Sequence, residues 1–409
     1  MMFLTPQTGE TLELDRIAKS PIGELVKIRG TDPTFGDFAT FAYLPAPLPA
    51  TIVLTNATWL AVTKAVDSLG ALRQACKQLP NPRILVAPAL AVEAISSSRL
   101  EGTYSTMEKL MEARLADSAG LSPETREVRA FDRIAHAAFD AVAERPISIH
   151  GLAELQGELA RRSVKPSRDP GALRTHQVYI GPEGGPIGDA RFVPPPPGDQ
   201  LRLALEDWEK WLEEPSDLPV VVRAIMAHYQ FETIHPFADG NGRIGRLVFM
   251  MQLLKGGCLE EAALSISPWL FRRRSQYQEH LFDMSCTGDW NPLIEFFCRG
   301  IAEQAQRHIR VADELCNWLS DVQHKIADKR WTGRIVDVVD DLVEWPVITA
   351  PRIQQTCGIS PPSAHDILNR LVELGVLEED SSKRPKIFVA PGVMAIVEGA
   401  VDEEDWNDA

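Results

Sequence analysis

Several things are missing from this chain of 409 residues, and each absence narrows its class. No apolar run approaches the roughly 20 residues that a membrane-spanning helix needs. The start, Met1-Met2-Phe3-Leu4-Thr5-Pro6, lacks a basic stretch followed by an apolar one, so the sequence predicts a cytoplasmic protein with no membrane partner. The six cysteines (Cys76, Cys258, Cys286, Cys298, Cys316, Cys357) are scattered, without Cys-x-x-Cys spacing or clustered histidines, and are read as reduced thiols rather than zinc ligands. Basic charge is also in short supply. With 42 Lys and Arg against 57 Asp and Glu the formal net charge is −15, which argues against broad affinity for nucleic acid or anionic membranes. What is present is ample core material: 44% hydrophobic and 24% charged residues over this length predict two or three domains.

The densest chemistry lies in His235-Pro236-Phe237-Ala238-Asp239-Gly240-Asn241-Gly242-Arg243-Ile244-Gly245-Arg246, which the apolar run from Leu247 to Leu254 follows. That order reads as a loop whose last residues open a buried helix. Gly240 and Gly242 let backbone N–H groups close on an anion, and the helix N-terminus adds partial positive charge, so phosphate is the expected occupant. Arg243 and Arg246, three apart, share a helix face and can grip two successive phosphates. Asp239 offers a hard oxygen to Mg²⁺, which binds through one or two carboxylates plus substrate phosphates. Asn241 can hydrogen-bond a phosphate oxygen. His235 is the one group in the segment that takes a proton near neutral pH, which suits it to deprotonate an attacking hydroxyl.

At these positions the sequence resembles the Fic family of protein adenylyltransferases, whose signature is His-x-Phe-x-(Asp/Glu)-Gly-Asn-Gly-Arg-x-x-Arg, and every fixed position matches. The resemblance implies transfer of AMP from Mg-ATP to a Tyr, Ser or Thr hydroxyl of a target protein, with His235 as general base and Asp239 as the Mg²⁺ ligand. It further implies that Asn241 and the loop N–H groups hold the α-phosphate, with Arg243 towards the β-phosphate and Arg246 on the γ-phosphate. Phe237 and the variable Ala238 complete the phosphate loop.

Upstream, Ser96-Ser97-Ser98-Arg99-Leu100-Glu101-Gly102 matches the (Ser/Thr)-x-x-x-Glu-(Gly/Asn) motif of family members with an N-terminal inhibitory helix, through Ser97, Glu101 and Gly102. A carboxylate on Arg246 would take the donors that a γ-phosphate needs and put negative charge where ATP must place its own. The resemblance therefore implies a self-inhibited enzyme. It leaves open two alternatives: an AMP-removing hydrolase using the same site, and a nucleotide-sensing DNA-binding regulator. Two β-type runs, one around Val178-Tyr179-Ile180 and one at Arg191-Phe192-Val193, predict a hairpin, and the resemblance implies that it is a flap on which an extended target segment docks. Tyr277, as a helical aromatic, is expected in the core, or, as the resemblance implies, packed on the adenine.

The resulting expectation is a mainly α chain, a helical Fic domain with a β-hairpin flap, plus a C-terminal winged helix-turn-helix domain. Residues 1–56 are read as polar and irregular, ending in the proline-rich stretch Tyr43 to Pro49; 57–120 as a helical region carrying the inhibitory helix; and 121–325 as the catalytic domain. After about Asp328 three short helical patterns (Ile335–Leu342, Ala350–Cys357, Pro361–Leu374) precede a two-stranded wing, giving a winged helix over 326–395 and an acidic tail over 396–409. Its third helix offers His365, Asn369 and Arg370 but also Asp366 and Glu373, and this mixed charge favours protein docking or homodimer contact over DNA.

Overall fold

The computed structural model describes residues 14–399 apart from residues 80, 116–119, 166–167, 183 and 384, so the ends of the chain and Arg384 of the expected wing lie outside the described residues. The chain is mainly helical. A first departure from the sequence reading comes at once: residues 23–45 are not irregular but form a hairpin of β1 (Gly23–Asp32) and β2 (Gly36–Pro45), paired from Gly23↔Pro45 to Asp32↔Gly36. Its turn explains the pairing. The Asp32 carboxylate accepts from the N–H groups of Thr34 (2.7 Å) and Phe35 (3.0 Å), and Gly36 takes a φ of +81°. Val26 and Ile28 share one face with Phe38 and Ala42, while Leu25 and Tyr43 point to the other.

The helices of the central body fall where the apolar spacing places them. Asn56–Gln78 packs along the 39-residue helix Trp290–Asp328. The helix expected to be inhibitory, Arg83–Leu100, is buried on nearly every side against Pro123–Ala141, Ser267–Arg272, Trp290–Asp328 and Asn241–Lys255. That is why it carries no solvent-facing polar stripe: its polar residues Glu93 and Ser97 point at buried partners instead. Gly102, at φ +84°, ends it, with the Gly102 and Thr103 N–H groups closing on the carbonyls of Arg99 and Ser98. The motif helix Asn241–Lys255 lies antiparallel against Val220–Ile234, the connecting loop being residues 235–240.

The C-terminal part holds helices Arg334–Asp341, Ala350–Cys357 and Pro361–Glu373 with a three-stranded antiparallel sheet of β3 (Val347–Thr349), β4 (Glu378–Asp380) and β5 (Ile387–Val389), in the order β3-β5-β4. The third strand and the closing helix Pro391–Gly399 are additions to the sequence reading. Both are short apolar runs that become legible only through the partners they pack on. One continuous apolar cluster reaches from Leu48 to Val397, so the helical body and the C-terminal part share a core. Arg83 to Glu344 (2.9 Å) and Lys383 to Glu112 (2.7 Å) bridge the same seam.

Candidate active site

His235 caps the C-terminus of helix Val220–Ile234 in a left-handed conformation, φ 51° and ψ 62°, which costs a non-glycine residue about 1–2 kcal/mol. The turn aims the ring back under its own helix, where Nδ1 lies 3.2 Å from the Glu232 carbonyl. A carbonyl only accepts, so Nδ1 carries the hydrogen and Nε2 keeps its lone pair. Burial, with the Arg174 guanidinium adding to it, pushes the imidazole down to about 4, against weaker opposition from Glu101 and Asp239. His235 is therefore a neutral base at physiological pH with a fixed tautomer.

Gly240 N-caps the motif helix at φ +80°, and the loop before it is held by Asn241. The Asn241 amide accepts from the Phe237 N–H and donates to the Phe237 carbonyl, both at 2.8 Å. This differs from the sequence expectation. The Asn241 carbonyl and one of its amide hydrogens shape the loop. Phe237 itself is fully buried beneath Phe231. Asp239 points outward, its side chain 45% exposed and 3.7 Å from Arg243. Gln156 braces this loop from below, donating to the Asp239 carbonyl (3.1 Å) and accepting from the Gly171 N–H (2.7 Å).

The two arginines sit in different environments. Arg243 is paired with Glu127, a buried carboxylate that also accepts from Thr103, Ser163 and the Val164 N–H. Burial alone would raise the Glu127 carboxyl, but Arg243 and these donors hold it below its ordinary range. Arg246 is held by the inhibitory helix: Nε donates to the Ser97 hydroxyl (2.8 Å), and an Nη donates to the Ser97 carbonyl (2.8 Å) and to Glu101 (3.0 Å). Here too burial opposes the charge of Glu101, and Arg246 and Arg243 outweigh it, so the carboxyl stays ionised.

Gly242 makes room for that pair. A Cβ there would stand 2.1 Å from Glu101 Oε1 and 2.9 Å from an Arg246 nitrogen. Glu232 lies against Gly245 on the same flank, with Oε1 enclosed and without a hydrogen-bond partner among the described residues. Burial, with Glu101 adding to it against Arg246, lifts its carboxyl to about 8.

The structure brings together His235, Asp239, Gly240, Gly242, Arg243, Arg246, Ser97 and Glu101, with Ala238 in the connecting loop and Gly102 ending the inhibitory helix. It does not put Tyr277 at an open face. Its hydroxyl bonds His228 Nε2 at 2.8 Å, and its ring packs among His228 and Phe297 in the core. Nor does the expected flap form a ladder. Ile180 and Phe192 make one antiparallel bridge, and Val178 and Tyr179 have no strand partner among the described residues. The reason is donor supply: Pro194 to Pro197 have no N–H to give, so Val193 offers its carbonyl to Tyr43 of β2 and Gln177 takes that of Pro194. Tyr179 instead packs with Ala42, Ile187 and Val193.

Sequence reasoning missed Glu127, Gln156, Arg174 and Glu232. The legible signal was a charged residue on the apolar face of a helix, as Glu127 is beside Val128 and Phe131; Arg174, in a loop, gave none.

Residues 146–253 match the family model described as Fic/DOC family, and residues 59–140 match the Fic/DOC family N-terminal model. The protein adenylyltransferase Fic of Drosophila sechellia is 30% identical over 247 residues, 58% of this chain and 43% of that one. Its namesake in Drosophila persimilis is 31% identical over 208 residues, 48% of this chain and 36% of that one. The chain thus spans less than half the length of these relatives. A Fic family protein from Desulfovibrio desulfuricans superposes with a TM-score of 0.52 at 20% identity, covering 84% of this chain and 98% of the other, a likeness of fold.

Proposed function

Because the chain carries a Fic/DOC domain behind the matching N-terminal region, we propose that it is a protein adenylyltransferase that is self-inhibited through Glu101. The observation that carries the reading is the Glu101–Arg246 pair, seated in space that only a glycine at 242 leaves open. Removing one partner of such a buried pair leaves a charge uncompensated, at a cost of about 3–5 kcal/mol, unless another anion replaces it. The γ-phosphate of ATP is that anion, so nucleotide in its productive pose and Glu101 compete for one guanidinium.

With Glu101 withdrawn, Arg246 and Arg243 would clamp the γ- and β-phosphates and the N–H groups at the start of the motif helix would hold the α-phosphate. The target hydroxyl oxygen then bonds to the α-phosphorus, the bond to the bridging oxygen breaks, pyrophosphate leaves, and the hydroxyl proton passes to His235 Nε2. Asp239 suits Mg²⁺, because its carboxylate is half-exposed and only loosely engaged by Arg243, which leaves it open to an ion whose coordination substrate phosphates would complete. The ion would neutralise charge on the departing pyrophosphate. The target segment would lie along Val178 to Ile180, using the backbone N–H groups of Val178 and Tyr179, because that of Ile180 is engaged in its bridge to Phe192.

We assign the C-terminal part, beyond about residue 326, to a winged helix used for protein contact, whether with a partner or a second copy. In its third helix Arg370 is already engaged by Asp366 (2.8 Å) and lies over Trp331, which leaves little positive charge for a DNA groove.

The test is positional labelling with the Glu101→Gly variant. Label from the α-phosphate of ATP should remain on protein and label from the γ-phosphate should not. Retention of γ-label would mean phosphoryl transfer and would overturn the assignment.

A further inference from the structure

Arg174 is buried, at 3% exposure, and no carboxylate faces it in its hydrogen-bond set. Its Nε donates to the His235 carbonyl (2.8 Å), one Nη donates to the carbonyls of Ile234 (3.3 Å) and Pro195, and its own backbone N–H donates to the Pro236 carbonyl (3.0 Å). The other Nη is enclosed without a hydrogen-bond partner among the described residues. A buried guanidinium satisfied mainly by carbonyls is costly, so its placement calls for a reason.

The partners supply one. Ile234 and His235 are the end of helix Val220–Ile234, where orphaned carbonyls favour a cation, and His235 is the residue held in left-handed geometry. Pro195 belongs to a run that has no N–H groups of its own with which to fasten itself. We infer that Arg174 is the positioning residue of the base, locking the turn at His235 and joining that turn to the Pro194–Pro197 edge of the target-docking segment. Three carbonyls in different directions require the planar fork of arginine; the point charge of lysine cannot serve them all. The charges around the imidazole are Arg174 from the loop, Glu101 from the inhibitory helix and Asp239 from the motif loop, with Glu232 present through its carbonyl. Among the described residues Arg174 is the cation acting on the ring, opposed by the Glu232 carbonyl and by two carboxylates.

This inference rests on the adenylyltransferase reading, so its test starts from Glu101→Gly as the active parent. In that background Arg174→Lys keeps the charge and loses the fork. It should lower the transfer rate at saturating ATP by about 10–100-fold, the scale of a base displaced by roughly an ångström, with the KM for ATP within about threefold. Arg174→Gln should lose rate similarly and also move the acid limb of the rate profile upward, by roughly one pH unit, because the opposing cation is gone. Arg174→Lys should leave that limb in place. The inference is overturned by a rate within about threefold of the parent, by equal loss of ATP affinity and rate, or by both variants failing to melt cooperatively, which would make Arg174 a folding element only. A parent that transfers no AMP would instead refute the adenylyltransferase reading, and this inference with it.

Discussion

At the scale of single residues, the proposed contest for Arg246 turns on what Gly242 omits. A methyl group at 242 would meet the Glu101 carboxylate and an Arg246 nitrogen. Gly242→Ala should therefore lower the melting temperature of the native chain, with an overpacking cost of about 1–3 kcal/mol, but much less in the Glu101→Gly background. Equal losses in the two backgrounds, read by thermal unfolding, would separate Gly242 from Glu101. The pH behaviour follows from the depressed groups. The Glu101 carboxyl is held low despite burial, so the stability it contributes is present above the ordinary carboxylate value and lost only as pH falls through its lowered folded value. His235, pushed to about 4, stays neutral while the unfolded chain takes up a proton below about 6.5, so this residue too weakens the fold only on acidification. Basal AMP transfer by the native chain should consequently not rise as pH falls from about 8 to about 6, since the site group that titrates in that window, Glu232 at about 8, becomes neutral and leaves the Glu101–Arg246 pair intact. A rise on mild acidification would mean that the restraint titrates near neutrality.

At the scale of elements, the helix proposed to be inhibitory is anchored well before it reaches the site. Glu93, Ser97 and Glu101 lie four apart on one face; Glu93 accepts from the hydroxyls of Ser265 and Ser267 and from the Ser267 N–H, and Ser97 and Glu101 hold Arg246. The hairpin β1–β2 does the corresponding job for the flap segment. Tyr43 packs its ring on Phe192 (5.7 Å) and bonds Ser20, and its N–H takes the Val193 carbonyl. Tyr43→Ala should cost about 3–5 kcal/mol of stability and raise the KM for a protein target more than that for ATP. An equal rise in both would mean that the hairpin does not act through the flap. These elements differ in how far the sequence disclosed them. The helix from residue 83 and the loop at 235 were legible because each repeats a local rule, a continuous apolar run or glycines before a helix. The hairpin was not, since its strands are half-exposed and owe their pairing to an Asp32 turn. The flap was over-read, because alternation suggests a strand but prolines decide whether the ladder can form. Arg174 and Tyr277 took their places from partners far away in the chain, Pro195 in one case and His228 in the other.

At the scale of the whole molecule, the C-terminal part and the inhibitory segment lean on each other. Arg83 at the start of the inhibitory helix pairs with Glu344, Glu112 in the helix that follows it pairs with Lys383, and one apolar core runs beneath both. Exposed pairs of this kind contribute at most about 1 kcal/mol each, so Arg83→Glu or Lys383→Glu should change basal transfer by no more than about fivefold. A much larger gain from either would relocate the restraint from Glu101 to this seam. Among the described residues no helix is long and apolar enough to cross a membrane. The central claim is that Glu101 holds Arg246 away from ATP while His235 stands ready as base. It is tested most directly by AMP label transfer from α-labelled Mg-ATP, comparing the native chain, Glu101→Gly, and Glu101→Gly combined with His235→Ala. The account predicts strong labelling by the single variant, at least about 100-fold above the double variant, and little by the native chain. Labelling that persists without His235, or that is as strong in the native chain as in Glu101→Gly, would contradict it.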